Sequence, residues 1–364
     1  MKPRAAHFVS HAHLVDNPSN HALISALLEL GYAVDVYLPK RDGDVSQYGP
    51  DVTAHFAEHG YRWLVANLLS PRWLKYTMFS GTTEEPMAAV GLLARIYRRR
   101  SITVADEIKN GSTSGERGER WKALCRSGMR VSQLTIVNSG ERIDIQREYA
   151  GLAADHPIVV MPNCYRDPPA PGDRLALRRE RGLPADALVV CYSGVFSLGN
   201  GGLWFARALA EQRDTWFWGQ VVPDDPLVAG ILPWLQGRDR LVLEPGPLGW
   251  RYPWVTMAAA DIGVVVYLQD APQFRNMGSA SNRLCMFLTM GVPVIASRQP
   301  SFEFVEKFGC GVLVDSPEEF VAAIDTIRSR LDEMKANALR CSREYIDAPG
   351  RYAALVESIR KLES

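Results

Sequence analysis

The chain has 364 residues, with 41 Lys and Arg balancing 41 Asp and Glu, and 47% of its residues hydrophobic. That length exceeds one ordinary core and fits two domains of ordinary size. A net charge of zero leaves no broad basic field of the kind that nucleic acid requires, so no nucleic-acid partner is expected.

Met1-Lys2-Pro3-Arg4 runs directly into a short apolar strand, Ala5–Ser10, without the apolar core of a signal peptide. No apolar run is long enough to span a bilayer, and a cytoplasmic location is expected. His21–Leu30 has helical apolar spacing and is closed by Gly31; Tyr32–Leu38 and the weaker Thr53–Ala57 read as strands. Met87–Arg98 reads as a helix ending in the basic run Arg98-Arg99-Arg100, followed by a strand at Ile102–Ala105 with Asp106-Glu107 at its polar end. A charged helix over Glu116–Ser127 precedes the strand Leu134–Val137. A further helix starts at Asn138-Ser139, and Ile158–Met161 closes the series. Repeated β-α alternation predicts a doubly wound parallel sheet.

The Pro- and Arg-rich stretch Asp167–Gly182 reads as a hinge. Beyond it, strands are predicted at Ala187–Ser193, Trp216–Trp218, Arg240–Leu243, Asp261–Tyr267, Val292–Ala296 and Gly311–Val314. Helices are predicted at Gly202–Glu211, Trp250–Ala260, Asn282–Met290 and Pro317–Ala338. The domains are therefore set at 1–168 and 183–344, with a last helix, Pro349–Leu362, within a C-terminal segment (345–364) expected to return to the first domain. Six cysteines (Cys125, Cys164, Cys191, Cys285, Cys310, Cys341) lack paired or metal-like spacing, which suits a reducing compartment.

The segment Ala260–Val314 carries the most information. Ser281-Asn282 opens a helix just after a strand and loop, so free backbone N–H groups and a positive dipole end face whatever binds there, usually phosphate. The run Ala260-Asp261-Ile262-Gly263, then Ser281-Asn282-Arg283-Leu284, Gly291–Ser297 and Gly309–Val314, resembles the sugar-nucleotide half of GT-B glycosyltransferases of the bacterial family-4 type. In those enzymes "aDigl.py" leads to "pNKlfEymaaGvPVias" and "gcGllv". TIVNSGERIDIQREYAG with VVMPNCY, and VCYSGVFSLGNGG, resemble the family's steps at the end of its first domain and the start of its second. The resemblance implies a GT-B α/β fold of two doubly wound Rossmann-like domains facing across a cleft. The implied activity is hexosyltransferase-type sugar transfer from a nucleotide-sugar donor in glycan or glycoconjugate biosynthesis. Retention of configuration follows from the same likeness, with the leaving diphosphate helping to deprotonate the acceptor.

Two departures accompany it. The family glutamate thought to hold the ribose falls on Met286, and its partner seven residues earlier falls near Gly278. The loop Ser193–Gly202 also lacks the family's basic pair, leaving Arg275 and Arg283 to compensate the leaving-group charge. The donor site is accordingly expected at Gly194, Val195, Gly249, Trp250, Ser281, Asn282, Arg283 and Met286, on the carboxyl edge of the second sheet. The acceptor side is expected at His11, His13, Ser19 and Asn20 in the first domain, where Ser19-Asn20 also reads as a helix N-cap. Asp106 and Glu107, at a strand end, suit an acceptor-positioning or base role; plain helix capping is the alternative. His11-x-His13 lacks a third ligand, and no metal or other cofactor is expected.

The sequence holds no G-x-S-x-G elbow, no Walker loop and no H-E-x-x-H, and its first strand lacks G-x-G-x-x-G. The expected partners are the nucleotide-sugar donor and a carbohydrate, lipid-linked or small-molecule acceptor, with peripheral membrane contact left open. Two alternatives accompany the transferase: a GT-B-shaped binding or scaffold subunit without turnover, and a sugar-nucleotide epimerase.

Overall fold

The computed structural model describes residues 2–9, 17–38, 45–56, 66–108, 116–168, 172–194, 196–221, 239–245 and 257–363. The chain divides into two compact units, Met1–Arg166 with Ala348–Ser364, and Asp167–Asp347.

Unit 1 runs β1 (Arg4–Phe8), α1 (Pro18–Glu29), β2 (Ala33–Leu38), β3 (Val52–Phe56), β4 (Met78–Thr82), α2 (Glu84–Tyr97), β5 (Arg100–Val104), α3 (Glu116–Val131), β6 (Leu134–Val137), α4 (Ile143–Ala150) and β7 (Ile158–Val160). Its seven strands form one sheet in the order β3-β2-β1-β4-β5-β6-β7, with every pair parallel. One face packs Leu23, Ile24 and Leu27 of α1 together with Leu355 and Ile359 of the C-terminal helix, Ala348–Glu363.

β4 was not predicted. Met-Phe-Ser-Gly-Thr carries neither alternation nor a β-branched run, yet all five residues are buried. A Cβ on Gly81 would lie 2.8 Å from the Pro86 carbonyl oxygen, so the glycine lets the start of α2 settle onto the strand.

Unit 2 runs α5 (Arg174–Glu180), β8 (Leu188–Ser193), α6 (Gly202–Glu211), β9 (Thr215–Val221), β10 (Leu241–Pro245), β11 (Ile262–Val265), α7 (Pro272–Arg275), α8 (Asn282–Thr289), β12 (Val294–Ser297), α9 (Glu303–Lys307), β13 (Gly311–Val314), α10 (Pro317–Ser329) and α11 (Leu331–Cys341). Its six strands order as β10-β9-β8-β11-β12-β13, again all parallel.

Two expectations are corrected here. The single helix over Pro317–Ala338 is two helices that break at Arg330. The hinge Asp167–Gly182 contains α5, capped by Asp173 and fixed by the buried Arg178, which donates to the Ala185, Ala187 and Ala259 carbonyls and pairs with Asp261 at 2.6 Å. Asp261, within the motif that carried the family resemblance, is thus a structural hub. It also pairs with Lys335 at 2.8 Å and Arg174, and accepts from the Val189 N–H at 3.0 Å. Burial alone would raise its carboxyl pKa; these cations hold it below the ordinary range. Most of the helix predicted at Trp250–Ala260 lies outside the described residues.

Candidate functional site

In a doubly wound sheet the ligand crevice opens where neighbouring strands send their connections to opposite sides. In unit 2 that point lies between β8, which pairs with β9 on one side, and β11, which pairs with β12 on the other. β8 ends in Tyr192-Ser193 and leads into Gly194, and β11 leads through Val266 to Tyr267. Both loops converge on the start of α8.

Ser281 is the N-cap of α8; its Oγ accepts from the Leu284 N–H at 3.3 Å and shares a 2.9 Å hydrogen bond with the Tyr267 hydroxyl. Arg283 follows, its guanidinium 5.1 Å from the Tyr192 ring centroid and 5.0 Å from that of Tyr267. This double cation–π contact holds the charge in place. Gly194, at φ 107°, lies beside Arg283: a Cβ there would make an ordinary contact, 3.6 Å from Arg283 Cδ, and it is the positive φ that favours glycine. Burial works to lower the guanidinium pKa, but the Tyr267 and Tyr192 hydroxyls outweigh it and the value is raised, so the cation is permanent. Asn282 Oδ1 and Arg283 Nη1 are both buried without a hydrogen-bond partner among the described residues. The spare Arg283 donor beside free helix N–H groups makes a site for an anion; Asn282 Oδ1 is an acceptor and adds nothing to it.

The structure therefore brings together Gly194, Ser281, Asn282 and Arg283. Arg275 is 65% exposed at its side chain and paired with Asp270. Met286 is buried at 4% exposure, one turn into α8. Val195, Gly249 and Trp250 lie outside the described residues, as do His11 and His13. Sequence reasoning missed Tyr192 and Tyr267. Their position at the carboxyl ends of the two switch-point strands was the available signal.

In unit 1 the corresponding edge is a hydrogen-bonded network. Asn17, not Ser19 or Asn20, caps α1, because Pro18 at the first helical position moves the start upstream; Asn17 Oδ1 accepts from the Asn20 N–H at 3.1 Å. Asn17 Nδ2 donates to Asp106 Oδ2 at 2.7 Å, and Asn138 Nδ2 donates to the Asp106 carbonyl at 2.9 Å. The buried Arg142 donates to that same carbonyl and to Asn138 Oδ1. Asn20 turns inward instead, to His7 Nε2 at 3.0 Å and the Thr82 hydroxyl, while His7 Nδ1 lies 2.9 Å from Ser80 Oγ. Burial pushes the His7 pKa down to about 4. Ser19 is buried and its hydroxyl has no partner among the described residues; Glu107 is exposed.

A cavity of about 800 Å³ in unit 2 lies elsewhere, at the amino ends of the strands, lined by Arg174, Arg178, Asp261 and Lys335. Those charges are already paired with one another, so it does not compete with the Arg283 site.

No protein-family model matches the chain, and no curated protein matches its sequence. Solved structures do match in fold. Sucrose-phosphate synthase from Thermosynechococcus elongatus is similar at TM-score 0.74 and 16% identity, covering 99% of both chains. HepE from Anabaena, solved with UDP-glucose, is similar at TM-score 0.74 and 15% identity, covering 98% of this chain and 99% of that one. The UDP-GlcNAc 2-epimerase of Neisseria meningitidis, bound to UDP-GlcNAc, is similar at TM-score 0.65 and 12% identity, covering 99% and 100%. The chain has the GT-B fold of the glycosyltransferases, two parallel sheets of seven and six strands clothed in helices.

Proposed function

We propose that this protein is a glycosyltransferase that moves a hexose from a nucleotide-sugar donor to an acceptor hydroxyl, with retention, in glycan or glycoconjugate assembly. One observation carries the reading: Arg283, gripped by Tyr192 and Tyr267 at the start of α8, keeps a buried Nη1 without a hydrogen-bond partner among the described residues. A fixed cation with a spare donor suits a diphosphate, whose charge grows as it departs, and so favours the transition state over the bound donor.

In this reading Asn282 and the first N–H groups of α8 share the phosphates with Arg283. The acceptor oxygen bonds to the anomeric carbon as the bond to the diphosphate oxygen breaks, and the hydroxyl proton passes to the diphosphate. Asp106 and Ser19 serve the acceptor side. No metal is needed, because Arg283 supplies the positive charge. HepE was solved with UDP-glucose, so UDP-sugars are the first donors to try. The test is nucleoside diphosphate release from UDP-, GDP-, dTDP- and ADP-sugars, with and without an acceptor extract. Acceptor-dependent release supports the proposal, and no release from any donor contradicts it.

The absence of Arg and Lys from Ser193–Gly202, with Met286 in the glutamate's position, favours a second reading as a binding subunit without turnover. Donor binding without release would single that out. An epimerase would instead convert donor without any acceptor.

A further inference from the structure

The 800 Å³ cavity of unit 2 lies at the opposite ends of the strands from the Arg283 site. Leu188 opens β8 there, Trp216 lies at the start of β9, and Arg240 and Asp261 directly precede β10 and β11. Six cations line it: Arg174, Arg178, Arg213, Arg240, Arg328 and Lys335. They face three acids, Asp186, Asp214 and Asp261. Asp261 pairs with Arg174, Arg178 and Lys335, one carboxylate among three cations. Burial lowers the Arg178 pKa in spite of that carboxylate, and the charge of Arg174 acts in the same direction.

The other three cations are matched less well. Arg328 pairs with Asp325 at 3.0 Å and donates to Thr215 Oγ1 at 2.6 Å, with its side chain 38% exposed. Arg240 donates to the Gln212 carbonyl at 2.9 Å and has no acid partner among the described residues. Arg213 is exposed and makes neither hydrogen bond nor ion pair among them. Arginines suit the negative end of a helix, which accounts for Arg328 in the last turn of α10 and for Arg213 just past α6. It does not account for Arg240, or for twice as many cations as acids around one cavity. The remaining walls differ in kind. Trp216, Leu188 and Leu331 are half-buried and apolar, while Asp186 and Asp214 are exposed carboxylates that can accept from hydroxyl groups.

We propose that this cavity binds a small hydroxylated phosphate, a phosphorylated sugar or polyol. The phosphate meets Arg213, Arg240 and Arg328, whose guanidinium groups suit its oxygens. Asp186 and Asp214 accept from the hydroxyls, and the carbon skeleton lies against Trp216 and Leu331. A bare inorganic anion would leave the apolar wall and both carboxylates unused. The site is independent of how the Arg283 site is used.

Calorimetric titration of the full-length protein with ribose 5-phosphate and with glycerol 3-phosphate tests it. At least one should bind, the tighter of the two identifying the skeleton, while ribose and glycerol should not. Inorganic phosphate should bind about tenfold or more weakly, having lost the hydroxyl contacts. Arg213→Gln/Arg240→Gln should weaken binding about tenfold or more, and Arg283→Ala should leave it unchanged. Arg213→Gln alone removes a side chain without partners, so it should keep the wild-type melting temperature and still weaken binding several-fold. The proposal is overturned if neither phosphate ester binds, or if inorganic phosphate binds as tightly as they do, which would mark an adventitious ion only. Undiminished binding to Arg213→Gln, or binding lost in Arg283→Ala, would overturn it equally.

Discussion

A glutamate at Met286 would restore the residue type that the resembled family keeps there, but it would enter a site only 4% exposed. A buried carboxylate without a partner is costly, so Met286→Glu is expected to lower the melting temperature markedly. Tighter nucleotide binding at an unchanged melting temperature would show instead that a ribose reaches this position. His7 gives a second residue-scale test. Its folded pKa of about 4 lies below the ordinary 6.5, so between those values the unfolded chain binds the extra proton. Stability is therefore intact above pH 6.5 and falls as pH drops towards 4, by up to about 3 kcal/mol. His156, also lowered by burial, adds a loss of the same sign. Melting curves across this window should fall less steeply for His7→Gln than for wild type. Parallel curves would mean that His7 is not the sensor.

Among the elements, α2 and α3 cross where Gly91 meets Gly128. A Cβ on Gly128 would collide with the Met87 carbonyl, which is backbone and cannot turn aside. Gly128→Ala should destabilise unit 1 by about 1–3 kcal/mol, despite alanine's better helix propensity; denaturant titration measures it, and a stabilised variant would contradict the close crossing. In unit 2, Asp261→Ala strands the buried Arg178 without its counterion and should cost about 3–5 kcal/mol, read by the same titration. An unchanged midpoint would show that the three cations do not depend on Asp261. The alternation of strands and helices was legible because apolar runs such as Leu134–Val137 and Gly311–Val314 are bounded by clear turn residues. β4 was not, because its burial comes from tertiary contacts that Met-Phe-Ser-Gly-Thr does not announce. The helix within Asp167–Gly182 was hidden by flanking prolines, while its stability comes from an ion pair more than eighty residues away in sequence (Arg178 with Asp261, |i−j| 83).

For the whole molecule, the GT-B fold was legible from fifty-odd residues around α8, since Gly and Pro punctuation there fixes strand, helix and strand in order. The anion site was only partly so. Arg283 and Ser281 could be read from their place at a helix start, but the tyrosine clamp depends on β8 and β11 lying side by side, and residues 192 and 267 are far apart in sequence. The central claim is that this clamped arginine binds the donor's diphosphate. Calorimetric titration of UDP-glucose into wild type and Arg283→Ala tests it most directly. Wild type should bind, and the variant should bind about ten- to a hundredfold more weakly, as expected for one lost charge-assisted contact, with little change in melting temperature. Equal affinity in both proteins would contradict the account.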